Sequence, residues 1–88
     1  MKKEKILITG AGTGLGKEAA LSLARRGHMV YATTRIEKEA KELNDISKEE
    51  NLDLIAFKLD ILNQKDRNIL NNLDFNILIN NAAIGDSR

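Results

Sequence analysis

Ile6-Leu7-Ile8-Thr9-Gly10-Ala11-Gly12-Thr13-Gly14-Leu15-Gly16 is the stretch on which the reading of this chain turns. A short, nearly all-apolar run ends in glycines, and an Ala-rich segment follows at once, with Leu15, Ala19, Ala20, Leu23 and Ala24 at helical spacing. Between a strand and a helix, glycines have a mechanical purpose. They permit a tight turn, let backbone approach an anion, and let the helix pack closely on the strand. The first amides of that helix, together with its dipole, then face the anion. Arg25-Arg26-Gly27 supplies cations and a terminating glycine at the far end, so the first helix is bounded on both sides.

Outward from this stretch the chain alternates short apolar runs with amphipathic segments, the pattern of βα units around a parallel sheet. Strands are expected over residues 6–9, 29–33, 54–59 and 77–80, and their near-continuous apolarity suits burial on both faces. After the second strand, Ile36, Ala40, Leu43 and Ser47 form a narrow stripe, while Glu37 and Lys41 pair at i,i+4 on a solvated outer face. A third helix is signposted by Asn63 as N-cap and Asp66 at the third helical position, with Ile69, Leu70 and Leu73 facing inward. The fold class is therefore α/β. It is a partial, doubly wound Rossmann-type parallel sheet of four strands, in the order 3-2-1-4 by the right-handed crossover rule, with three helices. The first two helices should share one face and the third should lie alone on the other. Residues 77–79 should then form an exposed apolar edge, a site for dimerisation or aggregation.

The bulk numbers bound what such a chain can be. Its 88 residues allow one small domain, with little stability in hand. Fourteen Lys and Arg stand against thirteen Asp and Glu, interspersed, which leaves no electrostatic footprint for nucleic acid or an anionic membrane. The absence of Cys excludes disulfides and thiolate metal sites, and a single His rules out a His-based metal cluster. The apolar run after the basic N-terminus stops at Thr9, too short for a signal peptide or a membrane span, so a soluble cytoplasmic protein is expected. His28, ahead of the second strand, reads as a surface residue.

The glycine spacing discriminates among nucleotide-binding loops. The dinucleotide fingerprint G-x-G-x-x-G fails, because its last position falls on Leu15 or on Lys17. A P-loop fails as well, since Ala11 stands where its first glycine belongs and Glu18 follows Lys17. Thr9-Gly10-x-x-x-Gly14-x-Gly16 fits the Thr-Gly-x-x-x-Gly-x-Gly loop, and here the chain resembles the short-chain dehydrogenase/reductase family, in its compact branch. The extended branch would need a glycine at Thr13.

That resemblance, covering essentially the whole chain, implies a set of cofactor-binding residues. Gly10, Thr13, Gly14, Leu15 and Gly16 would hold the pyrophosphate of a nicotinamide dinucleotide. At the end of the second strand, an NAD-preferring relative would carry Asp where Thr34 stands. Thr34 removes that repulsion, and Arg35 looks like the family's NADP-selecting basic residue, offering a fork for a 2′-phosphate. NADP is therefore the cofactor the resemblance implies, with NAD the second choice, because Thr13 occupies a loop position where some relatives carry another basic residue. Asp60-Ile61 resembles the family's Asp-hydrophobic pair, in which the carboxylate accepts from the adenine amino group and the next residue packs on the ring. Asn80-Asn81-Ala82-Ala83 resembles its Asn-Asn-Ala-Gly motif: Asn80 would tie strands together, and Asn81, Ala82 and Ala83 would run past the cofactor ribose.

No catalytic residue is assigned within the 88 residues, and no metal site. The family's chemistry, hydride transfer to or from a carbonyl carbon, uses a Ser and a Tyr-x-x-x-Lys pair that lie beyond the fourth strand in relatives. Tyr31 with Arg35 mimics the spacing on a strand, where residues four apart are stretched well away from each other. Ser22 and Ser47 fall on helix surfaces. The chain reads as the N-terminal NAD(P)-binding portion, residues 1–88, of a single Rossmann domain that stops after the fourth strand and is inactive alone. The whole would be an oxidoreductase acting on a small carbonyl or alcohol substrate, and a homo-oligomer. Two other readings stand beside it. One is an S-adenosylmethionine-dependent methyltransferase-like domain, whose loop needs an acid where Ile8 stands; the other is a non-catalytic nucleotide-binding module.

Overall fold

A computed structural model describes residues 2–60 and 62–81. Seven elements alternate: β1 (Lys5–Thr9), α1 (Gly14–Arg25), β2 (Met29–Thr34), α2 (Glu37–Glu50), β3 (Leu54–Lys58), α3 (Gln64–Asn71) and β4 (Ile77–Asn80). The strands form one parallel sheet in the expected order, β3-β2-β1-β4. Strand bounds differ from the sequence expectation by a residue at most.

Register explains the core. Ile6, Val30 and Leu54 lie side by side across the sheet, as do Ile8, Ala32 and Ala56, and both rows meet Ala20, Leu21 and Ala24 of α1 and Ala40 and Leu43 of α2. Alanines on the helices let the backbones approach the sheet closely, while Leu21 and Leu43 fill the remaining space. The buried line of α1 runs Gly16, Ala20, Ala24, one position on from the Leu15-led stripe expected. A step of one residue rotates a side chain by roughly 100°. Leu15 is accordingly turned outward, 83% exposed.

In α2 the inward stripe holds at Ala40, Leu43 and Ser47, but Ile36 is the N-cap residue and is exposed. On the outer face Lys41 reaches the other of its two i,i+4 acids, bonding Asp45 at 3.1 Å instead of Glu37. Ser47 is not on the helix surface. Its hydroxyl is buried against the carbonyl oxygens of Leu52 and Leu54, holding the α2–β3 turn in place. Asn44 shields the free edge of the sheet: its carboxamide donates to the carbonyl of Ala56 at 2.9 Å and accepts from the Ala56 amide at 2.8 Å. Both outward backbone groups of that edge residue are thereby satisfied.

His28 is also buried, contrary to expectation. It precedes β2 beside the start of β1, and its Nδ1 accepts from the Glu4 amide at 2.9 Å. The residue is a structural joint between the two strands.

The opposite face of the sheet is thinly covered. The crossover from β3 back to β4 assigns α3 to it, and α3 buries none of its residues, with Ile69 exposed. Ile55, Tyr31, Leu7 and Leu78 form a row across this face by register. Leu7 at its centre is 1% exposed, whereas Ile55 and Leu78 at its ends are 50% and 54% exposed. The inward-facing residues expected of α3 therefore lack a partner layer, and the apolar edge expected at 77–79 is present.

Candidate nucleotide-binding site

The C-terminal ends of β1, β2, β3 and β4 meet at one end of the sheet, which is where open parallel sheets bind ligands. Gly10 and Gly14 adopt φ values of 65° and 59°, a region in which L side chains are strained, so the turn needs glycine at both. Between them Ala11 is buried, and its amide donates to the Thr33 carbonyl at 2.8 Å, fixing the loop to the end of β2. Gly16 is required for a different reason. A Cβ at that position would overlap the Gly10 carbonyl oxygen and approach within 2.5 Å of the Asn81 amide nitrogen.

Asn81 ties the turn from the other side, its side-chain amide donating to the Gly10 carbonyl at 2.9 Å. Its neighbour Asn80 accepts from the Thr9 hydroxyl at 2.9 Å, joining β4 to β1. The strand-tying role implied for Asn80 is present in the geometry, and Asn81 is buttressing the glycine turn.

The N-terminus of α1 differs from the other two. Thr13 takes the N-cap position with no side-chain cap, and no acid stands in the first turn. In contrast, α2 carries Glu37 and Glu39 there, and α3 carries Asp66 with an Asn63 cap accepting from the Asp66 amide. Helices usually satisfy or neutralise this end. On α1 it is left bare beneath the glycine turn, flanked by exposed Thr13 and Leu15. An anion of pyrophosphate type fits that end by charge and by donor chemistry.

The remaining residues ring this end. Thr34 is buried and its hydroxyl donates to the Ile36 carbonyl at 2.9 Å, so it shapes the entry to α2. Arg35 is exposed and, among the described residues, makes no hydrogen bond or ion pair. Asp60 is exposed; one carboxylate oxygen accepts from the Leu62 amide at 2.9 Å, while its own amide donates to Asp66. The capping of α3 thus belongs to Asn63, and Asp60 forms its own local turn. Ile61, Ala82 and Ala83 lie outside the described residues.

One residue near the loop escapes a sequence reading. Glu39, in the first turn of α2, leans onto Gly12 so closely that a Cβ on Gly12 would overlap its carboxylate. In sequence an acid there signals only a helix start. Ile8, where a methyltransferase-type loop would carry its acid, is fully buried in the core.

The groups with displaced titration lie at the far end of the molecule. The Asp74 carboxylate, through a hydrogen bond and its charge, raises the Lys5 ammonium. At the C-terminal ends of α1 and α2, the bidentate bond between Arg25 and Glu50 raises the former and lowers the latter. No metal-ligating cluster occurs among the described residues, and no helix among them is long and apolar enough to cross a membrane.

Comparison with known proteins agrees with this fold. The family model described as short chain dehydrogenase matches residues 4–88. The chain is 36% identical over 90 residues to the Bacillus subtilis (strain 168) protein called uncharacterized oxidoreductase YxnA, covering 96% of this chain and 25% of that protein. It is 38% identical over 89 residues to mouse retinol dehydrogenase 12, covering 90% of this chain and 28% of the relative. It thus spans about a quarter of the length of these curated relatives. A hydroxysteroid dehydrogenase structure from Escherichia coli superposes with a TM-score of 0.79 at 26% identity, over 88% of this chain and 35% of that one.

Proposed function

The chain belongs to the short-chain dehydrogenase family, and from that premise we propose that it is the dinucleotide-binding portion of an NAD(P)H-dependent oxidoreductase with a preference for NADPH. Residues 1–88 are, on this reading, the N-terminal part of one Rossmann domain. The observation that carries it is the bare N-terminus of α1, with neither cap nor acid, under a turn that requires Gly10, Gly14 and Gly16.

Each residue then has a defined task. The turn and the first amides of α1, from Gly10, Thr13, Gly14, Leu15 and Gly16, hold the pyrophosphate. Arg35, exposed and unpaired among the described residues, meets the 2′-phosphate with its guanidinium fork. Asp60 accepts from the adenine amino group, with Ile61 against the ring, and Asn81, Ala82 and Ala83 run along a ribose. When bound, the nicotinamide supplies or receives a hydride. This chain's residues bind and orient; the acid–base chemistry falls to residues outside it, so residues 1–88 alone catalyse nothing. The whole protein would act on a small carbonyl or alcohol compound, as a cytoplasmic homo-oligomer.

Titration calorimetry of the protein containing this chain with NADPH, NADH and S-adenosylmethionine tests the reading. It expects NADPH to bind more tightly than NADH, and S-adenosylmethionine to give no heat. Binding of S-adenosylmethionine alone would overturn it.

A further inference from the structure

Glu39 is half-buried, and its carboxylate takes no hydrogen bond or ion pair among the described residues. It does not reach back to cap its own helix; it lies over Gly12, in the loop that Ala11 fastens to the end of β2. Arg35 stands at that same end, four residues earlier, and no ion pair joins the two. Among the described residues, Arg35 at the end of β2 and Glu39 in the first turn of α2 are thus a cation and an anion without an ion-pair partner, and the anion lies over the glycine loop.

Resting on the nucleotide reading above, we infer that Glu39 is a specificity-determining residue that works against Arg35. Arg35 attracts a 2′-phosphate, while the Glu39 carboxylate, held over Gly12, repels it. Glu39 therefore does part of what an acid at Thr34 would do in an NAD-preferring relative, from a different element. It reaches the loop from the first turn of α2, whereas Thr34 itself is buried and bonded to Ile36. The consequence is a protein that accepts both dinucleotides, with a discrimination smaller than Arg35 alone would give. Repulsion of a dianionic phosphate by the Glu39 carboxylate should lower its affinity by about ten-fold.

The test compares adenosine 2′,5′-bisphosphate with adenosine 5′-monophosphate, two probes that differ by the 2′-phosphate alone, on wild type and Glu39→Gln. The substitution keeps shape and removes charge. The ratio of the two dissociation constants should move about ten-fold toward the bisphosphate, and the gain should shrink as salt is raised. Glu39→Ala, which removes the side chain's reach, should move the ratio the same way. If both probes bind and the ratio stays put in both variants, Glu39 serves only the α2 dipole and the inference is wrong. If neither probe binds the wild-type protein, the nucleotide reading itself has failed and the inference goes with it.

Discussion

The side-chain amide of Asn81 donates to the carbonyl oxygen of Gly10 over 2.9 Å, so the end of β4 holds the turn that follows β1. The same carbonyl lies where a Cβ on Gly16 would have to go. Asn81, remote in sequence, therefore closes one small space with Gly10 and Gly16 of the loop. Gly16→Ala should force this junction open, lowering stability by about 1–3 kcal/mol, the usual range for overpacking. NADPH affinity should fall by at least ten-fold, measured by titration at a temperature where the variant remains folded by circular dichroism.

Arg35→Ala should weaken NADPH by roughly ten- to a hundred-fold, the effect of losing a charge-assisted contact of about 1.5–3 kcal/mol. NADH should be affected far less. Equal losses for the two dinucleotides would show that the side chain does not meet the 2′-phosphate.

Asn44→Ala should destabilise the fold by about 1–3 kcal/mol, because the amide and carbonyl of Ala56 lose their partners on the outer side of β3. The same change uncovers a free strand edge. Chemical denaturation should register the loss, and light scattering should show more association in the variant than in the wild type.

The Arg25–Glu50 pair gives an acid-side signature. Its hydrogen bonds lower the Glu50 carboxyl in the folded chain, so the contribution is fully present above the ordinary glutamate range and is lost as pH falls through the lowered value. Both groups are exposed, so the effect is small and shrinks with salt. Glu50→Gln should flatten the acid limb of the melting temperature against pH, leaving the neutral region close to that of the wild type. An unchanged acid limb would exclude the pair as its source.

Residues 1–88 in isolation should self-associate, since Ile55 and Leu78 end an apolar row on a face that α3 barely covers. Light scattering should show species heavier than one chain, and Leu78→Lys should reduce them. A monodisperse monomer of the unmodified chain at high concentration would contradict this.

Strand order, the glycine turn and the first two helices were legible because each rests on local rules: apolar runs, helical spacing, and turns that only glycine permits. Crossover handedness then narrows the strand orders, and the resemblance to a Rossmann-type sheet selects β3-β2-β1-β4. What escaped depends on packing partners that spacing and residue type do not specify. Leu15 belongs to a plausible apolar stripe, yet the close packing of Gly16 on Gly10 rotates it into solvent. His28 reads as a surface residue and Ser47 ends the α2 stripe with a polar group, but each finds a backbone partner, Glu4 in one case and Leu52 with Leu54 in the other, that no pattern announces. Glu39 is hidden most completely, since an acid in a first helical turn has an ordinary explanation, and only the fold brings it over Gly12.

The central claim is that the bare end of α1 beneath its glycine turn receives the pyrophosphate of a nicotinamide dinucleotide. Its most direct measurement is the amide chemical-shift response of Gly14, Leu15 and Gly16 in the folded protein on addition of NADPH. The account expects saturable shifts at these three amides, abolished in Gly16→Ala. Tight binding of NADPH that leaves these amides undisturbed, or no binding of either NADPH or NADH, would contradict it.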